Sequence, residues 1–174
     1  TDHMFLMDYD VKNGWHNARI EPFHALSLHP ASTALHYGAE IFEGLKAYRR
    51  ADGGVQLFRP MENVRRMNHS AARLCLPTMD EQDMLQALTK FVEVEQDWTP
   101  HSQGTSLYIR PFLFGNDENL GVHAVHRAMF VIIASPSGSY YKEGINPVKI
   151  MIEDKDVRAV RGGTGDTKCG GNYA

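Results

Sequence analysis

Two amphipathic helical stretches lie mid-chain with β-type alternation on both sides, and this order limits the architecture more than any other feature. In the first, Met61, Val64, Met67, Ala71 and Leu74 recur at helical spacing; in the second, Met84, Leu85, Leu88, Phe91 and Val92 do so. Pro77 stops the first, and Thr78 with Glu81 is expected to form a capping box for the second. Upstream, His3 to Asp10 and Ala18 to Leu26 alternate around the turn-like Lys12-Asn13-Gly14, as paired strands do. A helical stretch is expected from about Thr33 to Ile41, then alternation through Tyr48 and a hairpin turn at Asp52-Gly53-Gly54 into Val55 to Phe58. Downstream, strands are expected at Ser106 to Gly115, Arg127 to Ala134 and Val148 to Glu153. The expected class is α+β, a small N-terminal domain of mainly antiparallel sheet with helices.

Ser135-Pro136-Ser137-Gly138-Ser139 through Gly144 breaks the periodicity between two apolar strands and reads as a linker. The expected division is 1–137 as the first domain, 138–145 as an interdomain loop and 146–174 as the start of a second. About thirty residues are too few to close a core alone, so the chain is expected to be a fragment that stops inside that second domain.

With 174 residues, 43% of them hydrophobic, the chain can bury one core. A net charge of −3 with both signs scattered gives no basic field, which argues against nucleic acid and for a small ligand. The longest apolar run, Ala128 to Ala134, is far too short to span a bilayer, and Thr1-Asp2-His3 does not open a signal peptide. No membrane association is expected. Cys75 and Cys169 sit in unlike surroundings, so a disulfide is not expected and a reducing, cytoplasmic compartment fits. His29 with His36, and His123 with His126, lack cysteine or carboxylate ligands at closed-site spacing, so no metal is expected.

Chemistry concentrates near Lys168, in Gly162-Gly163-Thr164-Gly165-Asp166-Thr167-Lys168-Cys169-Gly170-Gly171-Asn172-Tyr173. A phosphate loop needs Gly before and Ser or Thr after its lysine, whereas Thr167 precedes and Cys169 follows. A dinucleotide fingerprint fails on glycine spacing. Two readings stay open from the residues alone: a solvated loop lysine beside turning glycines, or a covalent amine made nucleophilic by its surroundings.

Three words, Phe42-Glu43-Gly44-Leu45-Lys46-Ala47, Gly104-Thr105-Ser106-Leu107-Tyr108-Ile109-Arg110-Pro111 and Gly162 to Tyr173, occur in this order. Leu57-Phe58-Arg59-Pro60 and Arg73-Leu74-Cys75-Leu76-Pro77 stand between them. Together they resemble a branched-chain amino-acid aminotransferase of the fold-type IV pyridoxal phosphate class, over nearly the whole chain. The resemblance implies transamination of Leu, Ile and Val with 2-oxoglutarate through a pyridoxal 5'-phosphate imine on Lys168.

By the same resemblance, Tyr173 contacts the cofactor's phenolic oxygen and Arg66 binds its phosphate, a dianion that suits a planar guanidinium. Helical position alone leaves Arg66 a solvated residue like Arg65. Tyr37, Phe42, Tyr108 and Arg110 match substrate-pocket residues, although alternation alone makes Phe42 and Tyr108 equally good core residues. The loop Gly115 to Val122 has a counterpart that reaches a neighbouring subunit, which implies a homodimer with Leu120 and Val122 in the partner's pocket. Its bland reading is a hydrophilic loop with two incidental apolar residues. D-amino-acid aminotransferase and aminodeoxychorismate lyase share the lysine; Tyr-x-Arg-Pro and Phe-Glu-Gly-x-Lys favour the branched-chain group. A catalytically incomplete ligand-binding fragment is the remaining alternative.

Overall fold

The structure is a computed structural model describing residues 1–138, 144 and 146–173. Seven strands form one antiparallel sheet: β1 (His3–Asp10), β2 (Gly14–Pro22), β3 (Glu40–Phe42), β4 (Leu45–Arg49), β5 (Val55–Leu57), β6 (Ser106–Gly115) and β7 (Arg127–Ser137). Their order is β2-β1-β7-β6-β4-β5, with β3 pairing the far half of β6. The helices are α1 (Thr33–Tyr37), α2 (Pro60–Arg73) and α3 (Glu81–Glu95). The α+β expectation holds, and with it the antiparallel sheet.

The apolar stripes of α2 (Val64, Met67, Ala71) and α3 (Met84, Leu88, Phe91) cover one sheet face, because residues three and four apart share a helix side. From the sheet they meet Phe5, Ile41, Ala47, Leu107, Ile109, Phe130 and Ile132. Along β6, Leu107, Ile109 and Leu113 enter this core, while Tyr108, Arg110 and Phe112 between them are half-buried. A period of two puts those three on the opposite face. That face carries the site.

Several boundaries differ from the sequence expectation. The α3 cap is Asp80, whose carboxylate accepts from the amides of Gln82 (2.8 Å) and Asp83 (3.2 Å). Thr78 and Glu81 therefore form no capping box: Glu81 is the first helical residue rather than the third, and Thr78 lies two positions before the cap. The expected helix 33–41 is one short turn ended by Gly38 in the left-handed region (φ 59°), after which the chain joins β6 as β3. The second strand is Gly14–Pro22 rather than 18–26, since its register is fixed by pairing from Gly14 with Asp10 to Pro22 with His3.

Residues 148–153 have no regular secondary structure, and Ile150 and Ile152 are 83% and 89% exposed. Among the described residues no strand lies beside them, and an alternating apolar pattern makes a strand only where another backbone pairs with it. Of the expected linker, Ser135–Ser137 still belong to β7, opposite Tyr108 to Ser106. Residues 139–143 and 145 of the expected interdomain loop lie outside the described residues.

Candidate active site

Lys168 is fixed through its backbone from two directions. Its amide donates to Ser70 Oγ on α2 (3.0 Å), and its carbonyl accepts from the Phe42 amide on β3 (3.0 Å). Ser70 is fully buried, and Ile41 forms an isolated antiparallel bridge with Cys169, so the lysine segment runs along β3. Its side chain then projects toward the face opposite the core. There Nζ donates to Tyr173 Oη (2.9 Å) and lies 4.5 Å and 4.7 Å from the ring centroids of Phe42 and Tyr173. The two rings meet edge-on with centroids 5.1 Å apart.

The glycine-rich loop is held by side chains rather than by a regular element. Asn172, buried, donates to the carbonyls of Thr164 (2.8 Å) and Thr167 (3.0 Å) and accepts from Thr164 Oγ1 (3.1 Å). On the exposed side of α2, His69 pairs with Asp166 (3.0 Å), and Arg73 donates to the carbonyls of Gly162 (2.9 Å) and Gly163 (3.0 Å). The hydrogen bond from His69 holds the Asp166 carboxyl below the usual carboxylate range. At Gly170 an added Cβ would meet the carboxylate of Glu40, so a larger residue there needs that side chain to move. Burial pushes that carboxyl up, opposed by the Gly170 amide and by Arg110.

Phe42, Tyr108 and Arg110 join the same cluster. Arg110 donates to Tyr108 Oη from Nη2 (2.8 Å) and Nε (3.3 Å), and its guanidinium carbon lies 4.5 Å from the Phe42 ring centroid. Tyr108 Oη occupies the space that a side chain at Gly44 would take, which accounts for glycine in that word.

Arg66 is held by a residue the sequence reading did not single out. Glu43 is 1% exposed and binds it in a two-pronged pair, Nε to Oε1 at 2.6 Å and Nη2 to Oε2 at 2.8 Å. Asn63, one turn earlier on α2, and the Gly44 amide also donate to Glu43 Oε2 (2.8 and 3.1 Å). The Glu43 hydrogen bond holds the guanidinium above its ordinary value. Both Glu43 contacts leave Nη1 outside the pair. Arg66 also borders an open cleft of about 700 Å3 along α2, lined by Phe58, Arg59, Glu62, Asn63, Arg65 and His69 but not by Lys168.

Three expected site residues stand apart from Lys168. Tyr37 donates its hydroxyl to the Leu120 carbonyl, which ties α1 to the 115–126 loop. Leu120 and Val122 are 63% and 87% exposed. Ser70, Glu43, Asn63 and Asn172 are the residues that sequence reasoning missed; Glu43 and Asn172 were visible inside the Phe42-to-Ala47 and Gly162-to-Tyr173 words, while Ser70 and Asn63 depend on contacts between distant segments.

A pyridoxal phosphate group presents a carbonyl carbon, a phenolic oxygen and a phosphate. The structure offers an amine beside a tyrosine hydroxyl and a guanidinium with an uncommitted edge, so the donor set fits.

No protein-family model matches the chain. Over all 174 residues it is 53% identical to branched-chain-amino-acid aminotransferase 2 of Bacillus subtilis (strain 168), covering 48% of that protein. Over its whole length the chain is similar to branched-chain aminotransferases. It is 48% identical over 174 residues to the mitochondrial family member of Rattus norvegicus, of which it covers 44%. Among solved structures it resembles the T.th. branched-chain amino acid aminotransferase with pyridoxamine 5'-phosphate (TM-score 0.73, 27% identity, 96% of this chain and 52% of that one). The chain thus spans about half the length of the relatives it matches. No described helix is long and apolar enough to cross a membrane.

Proposed function

We propose that the full-length protein is a pyridoxal phosphate-dependent aminotransferase that moves the amino group of leucine, isoleucine or valine to 2-oxoglutarate. The observation that carries this reading is the setting of Lys168, pinned through its backbone by α2 and β3, with Nζ beside the Tyr173 hydroxyl. Kinship with aminotransferases at about half identity supports it.

Lys168 is the covalent anchor, Tyr173 Oη the partner of the cofactor's phenolic oxygen, and Arg66 the phosphate ligand, aimed by Glu43. When bound, pyridoxal phosphate supplies an electron sink for the substrate's Cα–H bond. Lys168 Nζ then takes and returns the Cα proton, which requires its amine neutral and mobile on a fixed backbone. The hydrogen bond to Tyr173 orients Nζ without burying it. Phe42 and Tyr108 form an apolar wall for a branched side chain, while Arg110, held by Tyr108, meets the distal carboxylate of glutamate. Tyr37 positions the 115–126 loop, so that Leu120 and Val122 reach the pocket of a second copy in a homodimer. The two cysteines, one exposed and one buried, are unpaired, which agrees with a cytoplasmic protein. Residues 1–137 form the first domain, and 146–174 open the cofactor-binding one.

The test is borohydride reduction of the full-length protein with pyridoxal phosphate, peptide mass mapping, and turnover with leucine or D-alanine as donor. The expected result is a pyridoxyl label on the Lys168 peptide and turnover with leucine. A label on another lysine overturns the anchor, and turnover with D-alanine alone overturns the substrate class.

A further inference from the structure

We propose that Asp117, His123 and His126 form a binding site for a zinc-type divalent ion, which cross-links the two ends of the 115–126 loop. Sequence spacing left these histidines without a carboxylate, but the fold brings Asp117 to them: one ligand atom from each lies within 4.8 Å of the others.

The state of each ligand follows from its hydrogen bonds. His123 Nδ1 lies 2.7 Å from the Ala124 carbonyl. A carbonyl only accepts, so Nδ1 carries the proton and Nε2 presents its lone pair. That Nε2 is buried and has no hydrogen-bond partner among the described residues. A buried imidazole nitrogen left unpaired is costly in the absence of a ligand, and an imidazole whose other nitrogen donates to a carbonyl is the arrangement that orients metal-binding histidines.

Asp117 is buried, and its carboxylate accepts from the His126 and Arg127 amides at 3.1 to 3.2 Å. Carboxylate oxygens together offer about four acceptor positions, so capacity for an ion remains. His126 is exposed, its Nδ1 3.9 Å from Asp117 Oδ1 and its ring stacked on His123 at 5.3 Å. Metal–nitrogen bonds of roughly 2.0–2.1 Å need the donors closer than this. His126, exposed, is the ligand that has to approach, because Asp117 is buried and held by two backbone amides. Two imidazoles and one carboxylate suit zinc, with a fourth position for water.

The test uses cofactor-free full-length protein, with Zn2+ alone followed by calorimetry and Co2+ alone followed by its ligand-field absorbance. One equivalent is expected to bind. His123→Ala and His126→Ala should each weaken it by more than the roughly 10–100-fold that loss of an outer-shell partner costs. His29→Ala, an exposed histidine elsewhere, and Lys168→Ala should leave it unchanged. Absence of Zn2+ binding, or binding equally tight in His123→Ala, overturns the proposal. Because the readout needs neither cofactor nor turnover, its failure says nothing against transamination.

Discussion

Removing Arg66 tests whether Glu43 is tolerated in its buried position only because of its partner. In Arg66→Ala, a carboxylate that is 1% exposed loses two charge-assisted hydrogen bonds, of 2.6 and 2.8 Å. Breaking a fully buried ion pair from one side costs roughly 3–5 kcal/mol, an upper range here because the Arg66 side chain is itself 51% exposed. Asn63 and the Gly44 amide still donate to Oε2, which sets the expectation at the lower end, about 3 kcal/mol. The reverse change, Glu43→Gln, frees a guanidinium that is half exposed and rehydrates, so its expected cost is smaller, about 1–2 kcal/mol.

The double variant leaves no buried charge at position 43, and it should be more stable than Arg66→Ala alone. The assay is urea unfolding of cofactor-free full-length protein, followed by tryptophan fluorescence, so that lost cofactor binding does not enter the difference. A loss below about 1 kcal/mol for Arg66→Ala, or a double variant weaker than both single ones, would refute the reasoning.

Ser70→Ala removes the side-chain acceptor of the Lys168 amide and should cost about 1 kcal/mol of stability, while lowering kcat more than it raises KM; stopped-flow turnover with leucine separates the two. For Glu40, burial raises the folded-state carboxyl above its unfolded value. A raised value means that its contribution is fully present below the unfolded pKa and is lost as pH rises through the folded one. Glu40→Gln should therefore gain stability relative to the wild type as pH rises from the acid range to neutrality, and a melting-temperature series across that range with a constant difference would exclude the burial effect.

The helices α2 and α3 were legible because a helix packed on one sheet face must repeat its apolar residues every three or four positions, and no partner is needed to see that period. The strand pattern at 148–153 misled for the opposite reason: alternation states which backbone could join a sheet, not whether a neighbour is there to complete it. The cap slipped from Thr78 to Asp80 because both are capping residue types, and only the bonds to the Gln82 and Asp83 amides decide between them.

In the site, Lys168, Tyr173, Phe42, Tyr108 and Arg110 lie together, whereas Ser70 and Glu43 act on Lys168 and Arg66 across 98 and 23 residues of chain. No local spacing rule reaches that far. The glycines show the same division. A Cβ at Gly170 would meet the Glu40 carboxylate of β3, and one at Gly44 the Tyr108 hydroxyl of β6. Gly170 lets the lysine segment pack closely against β3, while the backbone bonds of Lys168 to Ser70 and Phe42 hold its amine at one point.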